Sequence, residues 1–156
     1  WSFPMEVFFL KERFKDLIEI SESKDDVIQD RSIYEGVYVF TASNYAMGNL
    51  DERDYQTYME LFEDMTDIVR YPDLMIYLRA PVSHLVANIE KRGRDYEQKM
   101  PLDYLENINK RYEDFINCQY KGRVLTIDVD ELDYEHEPKD FGIITDKIDR
   151  VLFGLF

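Results

Sequence analysis

The sequence predicts an α/β fold: a parallel sheet flanked by helices. Three observations predict it. Asp73-Leu74-Met75-Ile76-Tyr77-Leu78-Arg79 has an unbroken apolar centre, as a parallel strand covered on both faces requires. Val124-Leu125-Thr126-Ile127-Asp128-Val129 reads as another strand, and so does the shorter Val27-Ile28-Gln29. Between them lie long stretches in which apolar residues recur at helical spacing. Strands separated by helices pair in parallel through crossovers.

Each element has a local justification. Pro4 to about Ile20 reads as a helix with Pro4 in its first turn. Phe8, Leu10, Phe14, Leu17 and Ile18 give it more than one apolar face, so burial between two layers is expected. Glu6 and Arg13 are its polar exceptions, about two turns apart on one side. They suit either a solvent edge or a polar pocket. Ser21–Asp25 is a polar loop before the Val27–Gln29 strand.

Asp30, Arg31 and Ser32 then stand where that strand ends. Ser32 can cap a helix carrying Ile33, Tyr34, Val37, Tyr38 and Phe40 to about Met47, stopped by Gly48 and Asn49. Ligands of open α/β sheets bind beyond the carboxyl ends of strands. An acid, a guanidinium and a hydroxyl gathered there suit a metal ion, a phosphate or a sugar hydroxyl. The same triplet also suits an ordinary capped helix with a surface ion pair.

Asp51 opens a further helix to about Tyr71, whose Tyr55, Tyr58, Met59, Phe62, Met65, Ile68 and Val69 form a core stripe ended by Pro72. Pro81 starts the helix of Leu85, Val86 and Ile89, which runs into Lys91-Arg92-Gly93-Arg94-Asp95-Tyr96-Glu97. Gly93 weakens that helix. Two arginines about a glycine can close on phosphates by bidentate hydrogen bonds, or simply complement a helix end. Pro101 to about Tyr120 is amphipathic, 130–138 is an acidic loop, and Phe141–Phe153 is the last helix.

Composition narrows the function classes. The 156 residues are 45% hydrophobic and 15% aromatic, enough for a packed core in a single domain spanning 1–156. No apolar run approaches the ~20 residues of a membrane span. A net charge of −14 repels long nucleic acids and anionic membranes, so neither partner is expected. A small phosphate ligand at a local basic cluster remains compatible with it. The single cysteine, Cys118, fits a reducing, cytoplasmic compartment and reads as a partly buried helix residue. His84 and His136 lack metal-ligand spacing and are expected at the surface.

Five segments in this order and spacing resemble the deoxynucleoside kinases, phosphotransferases with a P-loop-kinase-like three-layer fold. They are Trp1 with the helix after it, Asp30-Arg31-Ser32-Ile33-Tyr34 continuing to Tyr38 and Phe40, Asp73–Arg79, Lys91–Glu97, and Pro101-Leu102-Asp103-Tyr104-Leu105. The resemblance covers nearly the whole chain and is greatest to the bacterial deoxyadenosine/deoxyguanosine kinase branch. It implies ATP-dependent phosphorylation of a deoxynucleoside 5′-hydroxyl with Mg²⁺.

By resemblance, Arg31 contacts the 5′-oxygen and the transferring phosphate, and Asp30 helps hold Mg²⁺ through water. Arg92 and Arg94 are lid arginines over the ATP phosphates. Glu97 accepts from the sugar 3′-hydroxyl, and Phe40 stacks against the base. Trp1, Glu6, Phe9 and Arg13 line the base pocket, and the loop around Asp130 lies near the adenine of ATP. Family members are commonly dimers, which makes a homodimer through Met5–Ile20 and Ser32–Met47 an expectation of the same kind.

Three departures accompany the resemblance. No Gly-rich loop ending in Lys-Ser/Thr occurs. That loop, the acidic base and the first strands are therefore expected before Trp1, and the chain as it stands is expected to be inactive. Glu6 stands where the family places Gln, and a carboxylate offers only acceptors. Gly36 stands where purine-selective relatives often carry Asp. The alternatives are a kinase for nucleoside monophosphates or other small hydroxyl substrates, and a non-catalytic helical dimerisation module.

Overall fold

A computed structural model describes residues 2–95 and 100–154. They fall into two compact units, Trp1–Tyr71 with Asn107–Tyr120, and Pro72–Glu106 with Lys121–Phe156. Among the described residues no helix is long and apolar enough to cross a membrane.

The first unit is helical. α1 (Ser2–Glu22) buries Leu10 and Leu17. A continuous helical path then runs through α2 (Ile33–Glu35), a π-helical turn (Gly36–Thr41) and α3 (Ala42–Ala46). Ile33, Tyr34, Val37, Val39 and Thr41 are all buried, so this path is surrounded on several sides. α4 (Glu52–Thr66) starts where Asp51 accepts the Asp54 amide at 2.8 Å, and it buries Tyr58 and Phe62. α6 (Leu102–Asp114) gives its residues from Asn107 onward to this unit and passes into a second π-helical turn (Phe115–Gln119).

Aromatic rings fill the unit. Tyr34 stacks on Tyr71 at 5.0 Å and meets Phe62 and Tyr120 edge-on at 5.9 and 5.3 Å. Tyr38 lies against Phe115 at 5.7 Å and Phe62 at 5.6 Å. Such pairs add about 0.5–1.5 kcal/mol each beyond the area they bury.

The second unit holds the sheet. β1 (Met75–Arg79) and β2 (Val124–Asp128) pair in parallel, from Met75 opposite Val124 to Arg79 opposite Asp128. α5 (Val82–Arg92) follows β1, and α7 (Pro138–Phe153) packs on β2. Ala80, Ile127, Val129 and Ile144 form its core, with Leu85, Leu125, Leu132, Tyr134 and Ile148 around them.

The expected α/β class and parallel sheet therefore stand, with four differences. Val27–Gln29 is irregular rather than a strand, and Ile28 is 99% exposed. A strand exists through its ladder, and no described strand pairs with this segment. β1 is covered less than expected, since Ile76 and Leu78 are about 40% exposed. α1 is not sandwiched: Met5, Phe8 and Phe9 are each 54% exposed. Cys118 is exposed, because the π-helical turn carries it away from the core that holds Phe115.

Phe115 is fully buried among Tyr38 and Tyr120. Phe115→Ala is expected to cost about 3–5 kcal/mol, read as a lower urea midpoint at unchanged slope. A loss below about 1 kcal/mol would show that this aromatic packing contributes little.

Candidate active site

In the first unit the site is built where α1 meets the chain that follows it. Glu6 and Arg13 are both half-buried. Arg13 Nη1 donates to the carbonyl oxygens of Asp30 at 3.2 Å and Arg31 at 3.1 Å. Arg31 has φ 63° and is the one non-glycine residue with positive φ among the described residues. For a residue with a β-carbon this conformation costs about 1–2 kcal/mol, so neighbouring bonds must hold it.

Ser32 holds it from the other side. Its hydroxyl accepts the Glu35 amide at 3.4 Å, while Glu35 Oε2 accepts the Ser32 amide at 2.5 Å. This reciprocal box starts α2 and fixes the direction in which the chain leaves the turn. The other Glu35 oxygen accepts the Tyr112 hydroxyl at 3.4 Å. Burial, and then the Glu35 carboxylate, push the Tyr112 phenol well above its ordinary pKa, so it stays a neutral donor.

The Arg31 guanidinium lies over the Phe40 ring, 4.9 Å from its centroid. The Phe40 ring in turn meets Tyr112 edge-on at 6.3 Å. One face of Phe40 thus carries a cation, and the asymmetry is set by the π-helical turn that presents the ring.

Glu6 is bonded to the same stretch of helix. Its Oε2 accepts the Thr41 hydroxyl at 2.7 Å and its Oε1 accepts the Asn44 amide at 2.5 Å. Thr41 is fully buried. Tyr58 sits beside this pair. Burial pushes its phenol up to about 12, opposed by a hydrogen bond with Thr41 and helped by the Glu6 charge.

Of the residues singled out in the sequence, Asp30, Arg31, Arg13 and Phe40 come together, and Glu6 binds the helix that carries Phe40. Phe9 is more than half exposed and its ring meets Phe8 edge-on. Trp1 and Glu97 lie outside the described residues.

In the second unit, Arg92 ends α5 and Gly93 closes it with φ 64°, its N–H reaching the Ile89 and Glu90 carbonyls at 3.2 Å. A glycine enters this left-handed conformation without the cost that Arg31 meets. Arg94 follows, and both arginines are exposed. Asp130 stands just beyond β2, its carboxylate 3.1 Å from Nδ1 of His84 on α5. Arg79 donates to both oxygens of Asp128 at 2.6 and 3.0 Å, at the carboxyl ends of the two strands. Among the described residues no cluster of three His, Cys, Asp or Glu side chains is arranged for a metal.

Several partners were missed in the sequence. Glu35 had a legible signal, the Ser32-x-x-Glu35 spacing of a capping box. His84 had a weaker one: a helix that follows a parallel strand begins at that strand's carboxyl end, where Asp130 also lies. Thr41 had none, because ordinary helical spacing does not describe a π-helical turn, and Asn44 and Tyr112 had none because their partners Glu6 and Glu35 lie 38 and 77 residues away.

Comparison with known proteins gives the same family as the motifs. The family model described as deoxynucleoside kinase matches residues 1–152. A deoxyadenosine/deoxycytidine kinase of Bacillus subtilis (strain 168) is 34% identical over 154 residues, 97% of this chain and 71% of the relative. A deoxyguanosine kinase of the same organism is 33% identical over 149 residues, 90% and 69% of the two chains. The solved structure of deoxyadenosine kinase from M. mycoides with bound dATP superposes with a TM-score of 0.78 at 29% identity, covering 95% of this chain and 74% of that one.

Two outcomes test the geometry. Thr41→Val keeps the shape but removes a donor to a carboxylate, and is expected to cost about 1.5–3 kcal/mol in a urea melt. Asp133, whose carboxyl is held below its ordinary range by its hydrogen bond to His136, is expected to titrate low by NMR and to move up in His136→Ala. The sign follows from the lowered folded value: the pair stabilises above the ordinary aspartate pKa, and that contribution disappears as pH falls through the lowered one.

Proposed function

Because the chain belongs to the deoxynucleoside kinase family, we propose that it transfers the γ-phosphoryl group of ATP to the 5′-hydroxyl of a deoxynucleoside. The observation that carries this is the Asp30-Arg31-Ser32 turn, in which a strained arginine is fastened on both sides and set over an aromatic ring. Held side chains suit phosphoryl transfer, which depends on positioning and charge neutralisation more than on covalent chemistry.

In this mechanism a bond forms between the 5′-oxygen and the γ-phosphorus while the bond to the β–γ bridging oxygen breaks, releasing ADP. Arg31 contacts the 5′-oxygen and the transferring phosphoryl group and stabilises charge developing on its equatorial oxygens. Arg92 and Arg94 are lid arginines that bind the ATP phosphates and exclude water. The Gly93 cap supports that role by ending α5 between them. Glu97 accepts from the 3′-hydroxyl, and Asp130 belongs to the loop near the adenine.

Phe40, Glu6, Arg13, Phe9 and Trp1 form the nucleoside side of the site. Phe40 stacks against the base with the face that Arg31 does not occupy. The sequence holds no Gly-rich loop ending in Lys-Ser/Thr, so the phosphate cradle and the base toward the 5′-hydroxyl are assigned to none of these residues, and the 156 residues alone are expected to be inactive.

The family implies Mg²⁺, and the residues present fit it. This ion keeps most of its waters and takes one or two carboxylates besides phosphate oxygens. Asp30 is exposed and Arg13 engages its carbonyl oxygen, so its carboxylate can hold the ion through water. When bound, Mg²⁺ would supply positive charge that neutralises the nucleotide phosphates. The cytoplasm and a homodimer complete the assignment. The exposed Met5 and Phe8 of α1 support self-association.

The test is a radiolabelled transfer assay on the protein as its gene encodes it, with the four deoxynucleosides and several nucleoside monophosphates as acceptors. Arg31→Ala is expected to lower turnover on the best deoxynucleoside by ~10³ or more. Turnover within a few-fold of wild type overturns the role of Arg31, and transfer to monophosphates alone overturns the substrate class.

A further inference from the structure

Arg13 does something that a pocket-lining residue does not. Its Nη1 atom is committed to two successive main-chain carbonyls, those of Asp30 and Arg31. Those carbonyls flank the one described non-glycine residue in the left-handed region. The backbone there has no ladder to hold it, because the 27–29 segment before it is irregular. On the downstream side the Ser32–Glu35 box supplies the fixing bonds. On the upstream side Arg13, anchored on α1, supplies them. The Arg31 side chain leaves the same turn to lie over Phe40.

We propose that Arg13 is a positioning residue for Arg31: its guanidinium pins the Asp30–Arg31 turn to α1 and so directs the Arg31 guanidinium over Phe40. This rests on the role assigned to Arg31 in phosphoryl transfer, and it replaces contact with the base as the main task of Arg13. The geometry carries it. A guanidinium is a rigid, permanently charged fork that can bridge two carbonyls without titrating, and it is charge-assisted as a donor. A turn that a β-carbon disfavours relaxes when such a bond is removed. The relaxation moves Arg31 and the Asp30 carboxylate together.

The experiment is a double-mutant cycle on the protein as its gene encodes it, read by kcat, nucleoside KM and thermal midpoint. Arg13→Ala is expected to lower kcat by ~10²-fold, the scale of an ångström-sized misplacement, with nucleoside KM little changed. Arg13→Lys is expected to recover part of kcat, since an ammonium still reaches carbonyl oxygens. In the Arg31→Ala background, Arg13→Ala is expected to lower kcat no further, the signature of action through a shared partner.

The stability arm needs no catalysis. Arg13→Ala is expected to lower the thermal midpoint less in an Arg31→Gly background, because glycine adopts φ 63° unaided. The proposal is overturned by KM rising while kcat holds, by kcat losses that multiply in the double variant, or by equal midpoint losses in both backgrounds. Activity surviving Arg31→Ala overturns the underlying role of Arg31. Activity lost in Arg31→Ala but kept in Arg13→Ala overturns the pin alone.

Discussion

The candidate site in the first unit depends on one constraint, the left-handed backbone at Arg31. A residue with a β-carbon does not rest there unless its surroundings determine it. Here they do so twice, through Arg13 on the preceding carbonyl and Arg31's own, and through the Ser32–Glu35 box on the following amides. Strain at a single position is thereby converted into a defined direction for a guanidinium.

The helical path from Ile33 to Ala46 is the second requirement. Its π-helical turn widens the spacing between side chains, so that Val37, Val39 and Thr41 are all buried while Phe40 remains half-buried beside Tyr112. The aromatic lattice of Tyr34, Tyr38, Phe62, Phe115 and Tyr120 gives the turn rigid walls. Glu6 then ties α1 to the turn through Thr41 and to α3 through Asn44. Both of its oxygens accept protein donors, so its charge is held in place by the fold. That bracing accounts for a carboxylate on α1 whether or not a base is bound.

Charge is distributed to the same end. The chain carries 33 acidic against 19 basic side chains, yet Arg13 and Arg31 converge on one turn and Arg92 and Arg94 flank one glycine. A cation in a mostly acidic protein is conspicuous to a small anion and gives a long polyanion no continuous surface. The acidic loop after β2 is itself organised by pairs, Asp130 with the distant His84 and Asp133 with the nearby His136, rather than left as a repelling cluster.

The sequence by itself determined the α/β class, the two parallel strands, the helix caps at Ser32 and Asp51, the weak point of the helix at Gly93, and the family through five short segments in order. These are legible because each depends on neighbours within a few residues: periodicity, a capping side chain, a missing β-carbon. Tertiary structure decided that Val27–Gln29 is no strand, that β1 keeps one side exposed, and that Arg13 grips a backbone turn 17 and 18 residues away. It also decided that His84 meets Asp130 and that Glu6 meets Thr41 and Asn44. Those outcomes depend on partners distant in the chain. A strand needs another strand, and a charged side chain takes whichever donor or acceptor the packing brings to it, which no local pattern encodes.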